Sequence, residues 1–253
     1  KMVTTWPPNF PALGTGATFL ADMISRLSGG RLTVKVYGAG ELVPAFEVFD
    51  AVSAGTAQMG HGSAYYWKGK IPEAQFFSSV PFGLTAQEMS GWLYFGGGME
   101  LWREVYAPYG LLPFDAGNTT VQTAGWFNKE INTVDDIKGI KMRYAGIGGE
   151  AMRRLGANVT MLPAAEILPA MQSGAIDAAE WVGPWNDYAF GLTQVGKYYY
   201  TPAFVEPGTG IEVFVNKDKF AELPEDLQEI FAVAAQANLE QTLADFTFHN
   251  IQS

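Results

Sequence analysis

Two segments of this chain repeat one pattern, and the repeat limits the possible folds more than any other feature. Residues 44–55 read PAFEVFDAVSAG and residues 163–174 read PAAEILPAMQSG, 119 positions further along the chain. Each begins with Pro, which suits a helix start, and ends with Gly, which suits a helix C-terminus. A short strand is predicted after each copy. Two similar lobes that face each other explain the repeat, although helices of this kind also resemble each other by chance.

Strand and helix patterns alternate along the rest of the chain. Strand patterns occur at residues 2–6, 32–37, 57–60, 121–127 and 210–215, and helical patterns occur at 15–27, 44–54, 86–94, 100–106 and from 224 onward. Such alternation predicts an α/β protein with mainly parallel, doubly wound sheets. We predict that the strands at 121–127 and 210–215 cross between the lobes, with hinge motion at their ends.

The charge of the chain excludes some classes of partner. The formal net charge is −10 and the sequence pI is about 4.7. Nucleic acids select basic surfaces, so we expect no nucleic-acid partner. No apolar run reaches the ~18 residues of a membrane span, so we expect no direct membrane insertion. An anionic ligand needs a local site, because the overall charge does not attract it.

The residue types available for catalysis are few. The chain has no cysteine, and its two histidines are His61 and His249. Disulfides, thiolate zinc sites and Cys nucleophiles are therefore excluded, and a site with several histidines is nearly excluded. The motifs of serine hydrolases, zinc proteases and P-loop proteins are absent. Paired carboxylates such as Glu180 and Glu206 leave acid–base chemistry open, because their separation does not follow from the sequence.

Two charged residues follow predicted strands in the second half of the chain. Arg143 precedes a Gly-rich turn, and its guanidinium can hold a carboxylate with two hydrogen bonds. Glu180, beside Trp181, would repel that carboxylate unless a cation lies between them. The pair indicates a pocket for a small carboxylate, with or without a metal. The alternatives are a surface pair of Arg143 with Asp135 or Asp136, and a structural ion pair of Arg143 with Glu180.

The repeat places His61 at the position that corresponds to Glu180. Both residues are predicted at the C-terminal end of a strand, where open α/β sheets bind their ligands. Tyr65 and Tyr66 follow His61 closely. Aromatic side chains at such a place can cover a pocket, but ordinary packing is the more frequent explanation.

Several segments together carry a family resemblance. They are GELVP (40–44), FEVFDAVSAG (46–55), YYWKGK (65–70), DIKGIKMR (136–143), LGANV (155–159), LPAAEI (162–167) and QSGAIDAAEW (172–181). Their combination resembles the extracytoplasmic solute-binding proteins of TRAP transporters, the DctP-like family, over almost the whole chain. The segments of the first half, together with EWVGP (180–184), look closest to the subfamily that binds 2-oxo acids or lactate with a metal ion.

The resemblance implies a two-lobed periplasmic-binding-protein fold with mixed, mostly parallel sheets, a central cleft and a long C-terminal helix. We predict lobe I at residues 1–120 plus 207–253, including that helix. Lobe II, at residues 121–206, would carry most carboxylate and metal contacts. The family is longer at its C-terminus, where helices pack in a dimer, so a homodimer is a further expectation.

The resemblance also implies roles for single residues. Arg143 matches the arginine that pairs with the ligand carboxylate. Gln122, Glu180, the carbonyl of Trp181 and Glu206 match groups around a cation, although Gln122 alone is typical of a surface strand and Glu206 of a loop. Oxygen ligands without Cys or His suit Na⁺ or Ca²⁺. The predicted ligand-binding residues are Arg143, Gln122, Trp181, Asn186, Tyr65, Tyr66 and Asn118.

The function that follows is binding of a small 2-oxo or 2-hydroxy monocarboxylate, such as pyruvate or lactate, together with a cation. The ligand would be delivered in the periplasm to the membrane permease of a TRAP transporter, and the protein would not be an enzyme. We expect that a signal peptide lies outside this sequence and that the C-terminus is truncated. The alternatives are a ligand sensor for a membrane receptor and, less favoured, a metal-dependent enzyme acting on a keto acid.

Overall fold

The structure is a computed structural model that describes all residues from Lys1 to Ser253. The strands are β1 Met2–Thr4, β2 Val36–Tyr37, β3 Met59–Gly62, β4 Leu111–Asn118, β5 Gly125–Phe127, β6 Lys141–Arg143, β7 Asn158–Thr160, β8 Ala178–Ala179, β9 Tyr198–Tyr200 and β10 Gly210–Asn216. The α-helices are α1 Gly14–Leu27, α2 Val48–Ser53, α3 Ala86–Phe95, α4 Gly98–Tyr106, α5 Gly146–Arg154, α6 Ala164–Gln172, α7 Pro184–Phe190, α8 Lys217–Ala221 and α9 Glu225–Gln252. Short 3₁₀ helices occupy Ala45–Glu47, Ala64–Trp67, Pro72–Phe77, Ala107–Tyr109, Val134–Ile137 and Leu192–Gln194.

The strands form two five-stranded sheets, in the orders β2-β1-β3-β10-β4 and β7-β6-β8-β5-β9. In each sheet the first three strands are parallel, and the fourth is antiparallel to both of its neighbours. The sheets are mixed, as predicted, but parallel pairs do not outnumber antiparallel ones. The lobe boundaries after residues 120 and 206 stay a prediction.

The internal repeat is a repeat of structure. In both copies a helix ends shortly before a glycine with positive φ, 77° at Gly55 and 71° at Gly174. The following strands, β3 and β8, begin at Met59 and Ala178 and take the third place in their sheets. Chance similarity between two unrelated helices is therefore the wrong explanation.

The segment at 121–127 differs from its prediction. Only Gly125–Phe127 forms a strand, and residues 119–124 connect the first sheet to the second. The return connection is residues 201–209, which precede β10. The predicted strand at 210–215 is confirmed, but it lies within the first sheet. Irregular segments, rather than long strands, therefore cross between the two sheets.

The strand that pairs with β10 over its whole length is β4, which the sequence analysis missed. Pro113 and Gly117 interrupt its pattern. A proline is tolerated there because β4 is the edge strand, where one side of the strand needs no hydrogen-bond donors. The predicted strand at 32–37 is also shorter than expected, since only Val36–Tyr37 pairs with β1.

The C-terminal helix α9 contacts both halves of the molecule. Asn238 Nδ2 donates to the carbonyl of Ala116 in β4 at 2.7 Å. Near the end of the helix, Phe246 joins a buried apolar cluster that holds residues from both halves, and Asn250 Oδ1 accepts a hydrogen bond from the backbone N–H of Trp185 at 3.1 Å. The long helix predicted from residue 224 onward is therefore confirmed, and it ties the second sheet to the first.

Glu212 is a buried acid in a strand of the first sheet. Glu212 of β10 is fully buried and accepts hydrogen bonds from Trp67 Nε1 at 2.5 Å and from the Tyr106 hydroxyl at 2.8 Å. Burial raises the pKa of Glu212 to about 8, although these two hydrogen bonds oppose the shift.

Glu212 is expected to make the protein less stable as the pH rises. Its folded-state pKa lies above the unfolded value, so its stabilising contribution is complete below about pH 4.5 and is lost as the pH rises through about 8. Each pKa unit corresponds to about 1.4 kcal/mol. Glu212→Gln cannot ionise and should flatten the fall in unfolding free energy, measured by urea denaturation across this range. Glu240→Gln, at an exposed position of α9, is the control. An unchanged slope in Glu212→Gln would contradict the prediction.

Candidate functional site

Arg143 and Glu180 meet where two neighbouring parallel strands, β6 and β8, end. Arg143 Nη1 donates to Glu180 Oε2 at 2.7 Å and to the Glu180 carbonyl at 2.6 Å. The side chains are 1% and 0% exposed, so the pair is buried. The predicted alternative of a structural ion pair with Glu180 is therefore present in the structure. The surface alternative is wrong, because Asp135 pairs with Lys138 and Asp136 caps a 3₁₀ helix.

The guanidinium of Arg143 is fixed on one side and free on the other. Its Nε donates to the carbonyl of Leu162 at 3.4 Å, and its central carbon lies 5.2 Å from the ring centre of Trp181. Nη2 has no hydrogen-bond acceptor within the protein. The fork is thus held in place while one nitrogen stays available for a carboxylate.

The two connections between the sheets bring Gln122 and Glu206 together. Gln122 Nε2 donates to Thr119 Oγ1 at 3.0 Å and to Thr209 Oγ1 at 2.9 Å. The Thr209 hydroxyl donates to Glu206 Oε2 at 2.5 Å, and the backbone N–H of Gln122 donates to the Glu206 carbonyl at 3.1 Å. These bonds use the amide nitrogen of Gln122 and leave its oxygen without a donor. We call Gln122, Arg143, Glu180 and Glu206 the cleft cluster.

Two buried oxygens of the cleft cluster, Gln122 Oε1 and Glu180 Oε1, have no hydrogen-bond partner. A buried acceptor without a donor costs about 1–3 kcal/mol. Burial, followed by the charge of Glu206, raises the pKa of Glu180 well above its usual range, although Arg143 opposes this. Burial also raises the pKa of Glu206 to about 7. A cation bound at the cleft cluster would stabilise both carboxylates in their charged forms.

The donor set of the cleft cluster fits a hard cation. It offers carboxylate and amide oxygens, which Na⁺ and Ca²⁺ prefer, and it contains no nitrogen or sulfur ligand. Nowhere in the structure do three or more His, Cys, Asp or Glu side chains converge on a common point. A cation here would therefore depend on neutral oxygens, such as the Gln122 amide, in addition to the two carboxylates.

The 3₁₀ helix Ala64–Trp67 brings two tyrosines from the first half to the cleft cluster. Burial raises the pKa of Tyr65 well above its usual range and that of Tyr66 to about 12. The charges of Glu180 and Glu206 add to both shifts, and the charge of Arg143 opposes them. Tyr65 packs against the start of α5, where a Cβ added at Gly146 would lie 3.3 Å from the tyrosine ring. Lys68 Nζ donates to the Gly146 carbonyl at 3.3 Å. These contacts close the first half over the cluster.

Two predicted ligand-binding residues have hydrogen-bond partners outside the cleft cluster instead. Asn118 Oδ1 accepts a hydrogen bond from the Thr120 N–H at 2.9 Å, in the turn after β4. Asn186 Nδ2 donates to the Pro11 carbonyl at 3.1 Å, while its Oδ1 is buried without a partner. Neither residue hydrogen-bonds to the cleft cluster, so their role in ligand binding stays a prediction.

The sequence analysis missed two residues of this site. Thr209 orients Gln122 and Glu206, but an isolated Thr after a Pro-Gly turn carries no signal for that role. Tyr144 is buried, and its hydroxyl has no partner. Burial first, and then the charges of Glu180 and Glu206, raises the pKa of Tyr144 well above its usual range. Its place directly after Arg143 at the end of β6 was the signal that could have identified it.

The counterpart of Glu180 in the first half, His61, serves a different purpose. Its Nδ1 accepts a hydrogen bond from Trp6 Nε1 at 2.9 Å, and burial lowers its pKa to about 3. The histidine is therefore neutral, and its ring packs edge-on against Trp6. The repeat thus places similar strand ends in both halves, but only the second half carries the charged pair.

Known proteins with similar sequences and structures show the family of this chain. The family model for bacterial extracellular solute-binding protein, family 7, called DctP, matches residues 2–246. The chain belongs to this family. A monocarboxylate 2-oxoacid-binding periplasmic protein of Nostoc sp. strain PCC 7120 is 48% identical over 242 residues. The match covers 94% of this DctP chain and 66% of the Nostoc protein, so the chain spans just under two thirds of that relative.

Two crystal structures share the DctP fold closely. A TRAP periplasmic solute-binding protein from Pseudoalteromonas atlantica T6c, with bound sodium and pyruvate, is 45% identical with a TM-score of 0.96 over 98% of this chain and 75% of that one. Another from Colwellia psychrerythraea, with bound calcium and pyruvate, is 43% identical with a TM-score of 0.93 over 98% and 76%. The family comprises solute-binding proteins for transport rather than enzymes.

None of the helices of this DctP protein is both long enough and apolar enough to cross a membrane.

Proposed function

We propose that this DctP-family protein binds a small 2-oxo or 2-hydroxy monocarboxylate, such as pyruvate, together with Na⁺ or Ca²⁺ at the cleft cluster. The observation that carries the proposal is that Gln122 Oε1 and Glu180 Oε1 are buried without a hydrogen-bond partner, while Nη2 of Arg143 has no acceptor within the protein. The pyruvate and cations bound by the two relatives of known structure support the same chemistry.

In this proposal Arg143 pairs with the ligand carboxylate, and the cation bridges the ligand to the protein. Gln122, Glu180, Glu206 and the carbonyl of Trp181 would hold the cation. The two glutamates and the ligand carboxylate carry three negative charges, and Arg143 with Ca²⁺ carries three positive ones. With Na⁺ one negative charge remains, unless one carboxyl group keeps its proton. Charge balance therefore favours Ca²⁺ when both glutamates are ionised.

Closure would complete the site. Tyr65, Tyr66 and Lys68 come from the proposed lobe I, residues 1–120 plus 207–253, and they cover a cluster carried mainly by the proposed lobe II, residues 121–206. Excluding water would strengthen the pairing of ligand and protein charges. The connections at 119–124 and 201–209 are the proposed hinges. The proposal also includes periplasmic location, delivery to a TRAP permease and assembly as a homodimer. Presentation to a receptor would use the same site.

Thermal unfolding with small carboxylates, each with and without Na⁺ or Ca²⁺, tests the proposal after partial unfolding has removed co-purified ligand. A ligand at ~100 times its Kd should add roughly 2.7 kcal/mol of stability, which corresponds to about 5–10 °C in Tm for a chain of this size. A shift with pyruvate that requires the cation supports the proposal. A shift without cation dependence would remove the metal from it, and no shift with any carboxylate would overturn it.

A further inference from the structure

A cavity lies beside the edge strand of the first sheet, apart from the cleft cluster. It has a volume of about 220 Å³ and opens between helices α3, α4 and α9, with β4 beneath them. Leu93, Met99 and Phe114 contribute apolar walls, and Asp115 is also a lining residue. An engineered cavity of about 150 Å³ can hold benzene, so this one has room for roughly six to nine non-hydrogen atoms.

Asp115 is the unusual group of this cavity. The residue is 4% exposed, yet no side chain donates a hydrogen bond to it and no cation pairs with it. The backbone N–H of Gly117 is the one protein group that favours its charged form, and burial raises the pKa of Asp115 to about 7. A buried carboxylate without a cationic partner is costly, so the surroundings of Asp115 favour a positively charged ligand.

The other polar groups suit an ammonium group. Burial, and then the charge of Asp115, raises the pKa of the Tyr94 hydroxyl, and a hydrogen bond with Gln236 opposes this shift, so both side chains lie near the acid. A primary ammonium group has three N–H donors. The carboxylate of Asp115 can accept some of them, and the oxygens of Tyr94 and Gln236 can accept the others. Glu100 and Arg103 are exposed lining residues of opposite charge, so together they do not repel a cation.

We propose that this cavity is a second binding site, for a small alkylammonium solute. The ammonium group would donate to Asp115, Tyr94 and Gln236, and the alkyl chain would lie against the walls at Leu93 and Phe114. A bare metal ion fits less well, because the cavity offers one buried carboxylate and is far larger than an ion. The site does not depend on the function proposed for the cleft.

Isothermal titration calorimetry with n-butylammonium chloride at constant ionic strength tests the site. NaCl, NH₄Cl and n-butanol separate the cationic head from the alkyl chain. We expect saturable binding of n-butylammonium alone, weakened at least about tenfold, or 1.4 kcal/mol, by Asp115→Asn. The control is Glu104→Gln, which removes an exposed acid of α4 outside this cavity and should leave the affinity unchanged.

A second variant keeps the test decisive if Asp115→Asn does not fold. Ala232→Leu fills the cavity from a partly exposed position of α9 and should also abolish binding. Far-ultraviolet circular dichroism and cooperative thermal unfolding serve as the measure of correct folding for each variant. The proposal is overturned if n-butylammonium does not saturate the protein, if a folded variant at either position keeps the parent affinity, or if Na⁺, NH₄⁺ or n-butanol binds equally well.

Discussion

Replacing Arg143 with alanine is expected to abolish carboxylate binding while the protein stays folded. The guanidinium is the proposed partner of the ligand carboxylate, and losing one partner of a buried charge pair costs about 2–5 kcal/mol, or roughly 30- to 5000-fold in Kd. Glu180 loses its partner as well, but its pKa is already raised, so it can take up a proton instead of remaining as a buried charge. Calorimetric titration with pyruvate and Ca²⁺ measures the loss.

The control for this variant is Arg153→Ala. Arg153 is exposed on α5 and pairs with Glu150 at the surface, so its removal changes the net charge equally without touching the cleft cluster. We expect its affinity for pyruvate to match the parent. A third variant, Arg143→Lys, keeps the charge without the planar fork and should bind with intermediate affinity. Retained affinity in a folded Arg143→Ala protein would refute the assignment.

The sequence predicted those parts of the fold that depend on local signals. Pro at a helix start and Gly at a helix end mark both copies of the repeat, and the strands after them follow from the same pattern. The crossing at 119–124 was predicted wrongly, because Val121 to Phe127 has the composition of a strand. Thr120 turns the chain there with φ of 63°, a conformation that no pattern assigns to a β-branched residue.

The candidate site also contains residues that local sequence signals identified and residues that they did not. Arg143 and Glu180 were identified from their places after strands, and the parallel pairing of β6 with β8 brings them together. Gln122 and Glu206 had no such signal, and only the family resemblance indicated a role for them. Their contact runs through Thr209, 87 residues from Gln122 along the chain, and irregular connections have no period from which such a contact follows.

Glu180→Gln is expected to uncouple the ligand from the cation. The amide keeps the shape of the side chain and can still accept a hydrogen bond from Arg143, but the cation loses one of its two carboxylates. In the parent, Ca²⁺ should raise the affinity for pyruvate, and by linkage pyruvate should raise the affinity for Ca²⁺ by the same factor. In the variant this factor should fall at least about tenfold, or 1.4 kcal/mol of coupling, measured by titrating pyruvate at several Ca²⁺ concentrations.

Arg143→Ala and Glu180→Gln are expected to lose pyruvate binding in different ways. The difference distinguishes a site in which a cation bridges Glu180 to the ligand from one in which Glu180 is only the ion-pair partner of Arg143. Arg143→Ala should lose pyruvate with or without Ca²⁺, whereas Glu180→Gln should lose mainly the part of the affinity that depends on Ca²⁺. Glu166→Gln, which removes an exposed acid of α6, should leave both quantities unchanged. If Glu180→Gln keeps the full dependence on Ca²⁺, Glu180 is only the structural partner of Arg143, and the cation must bind elsewhere.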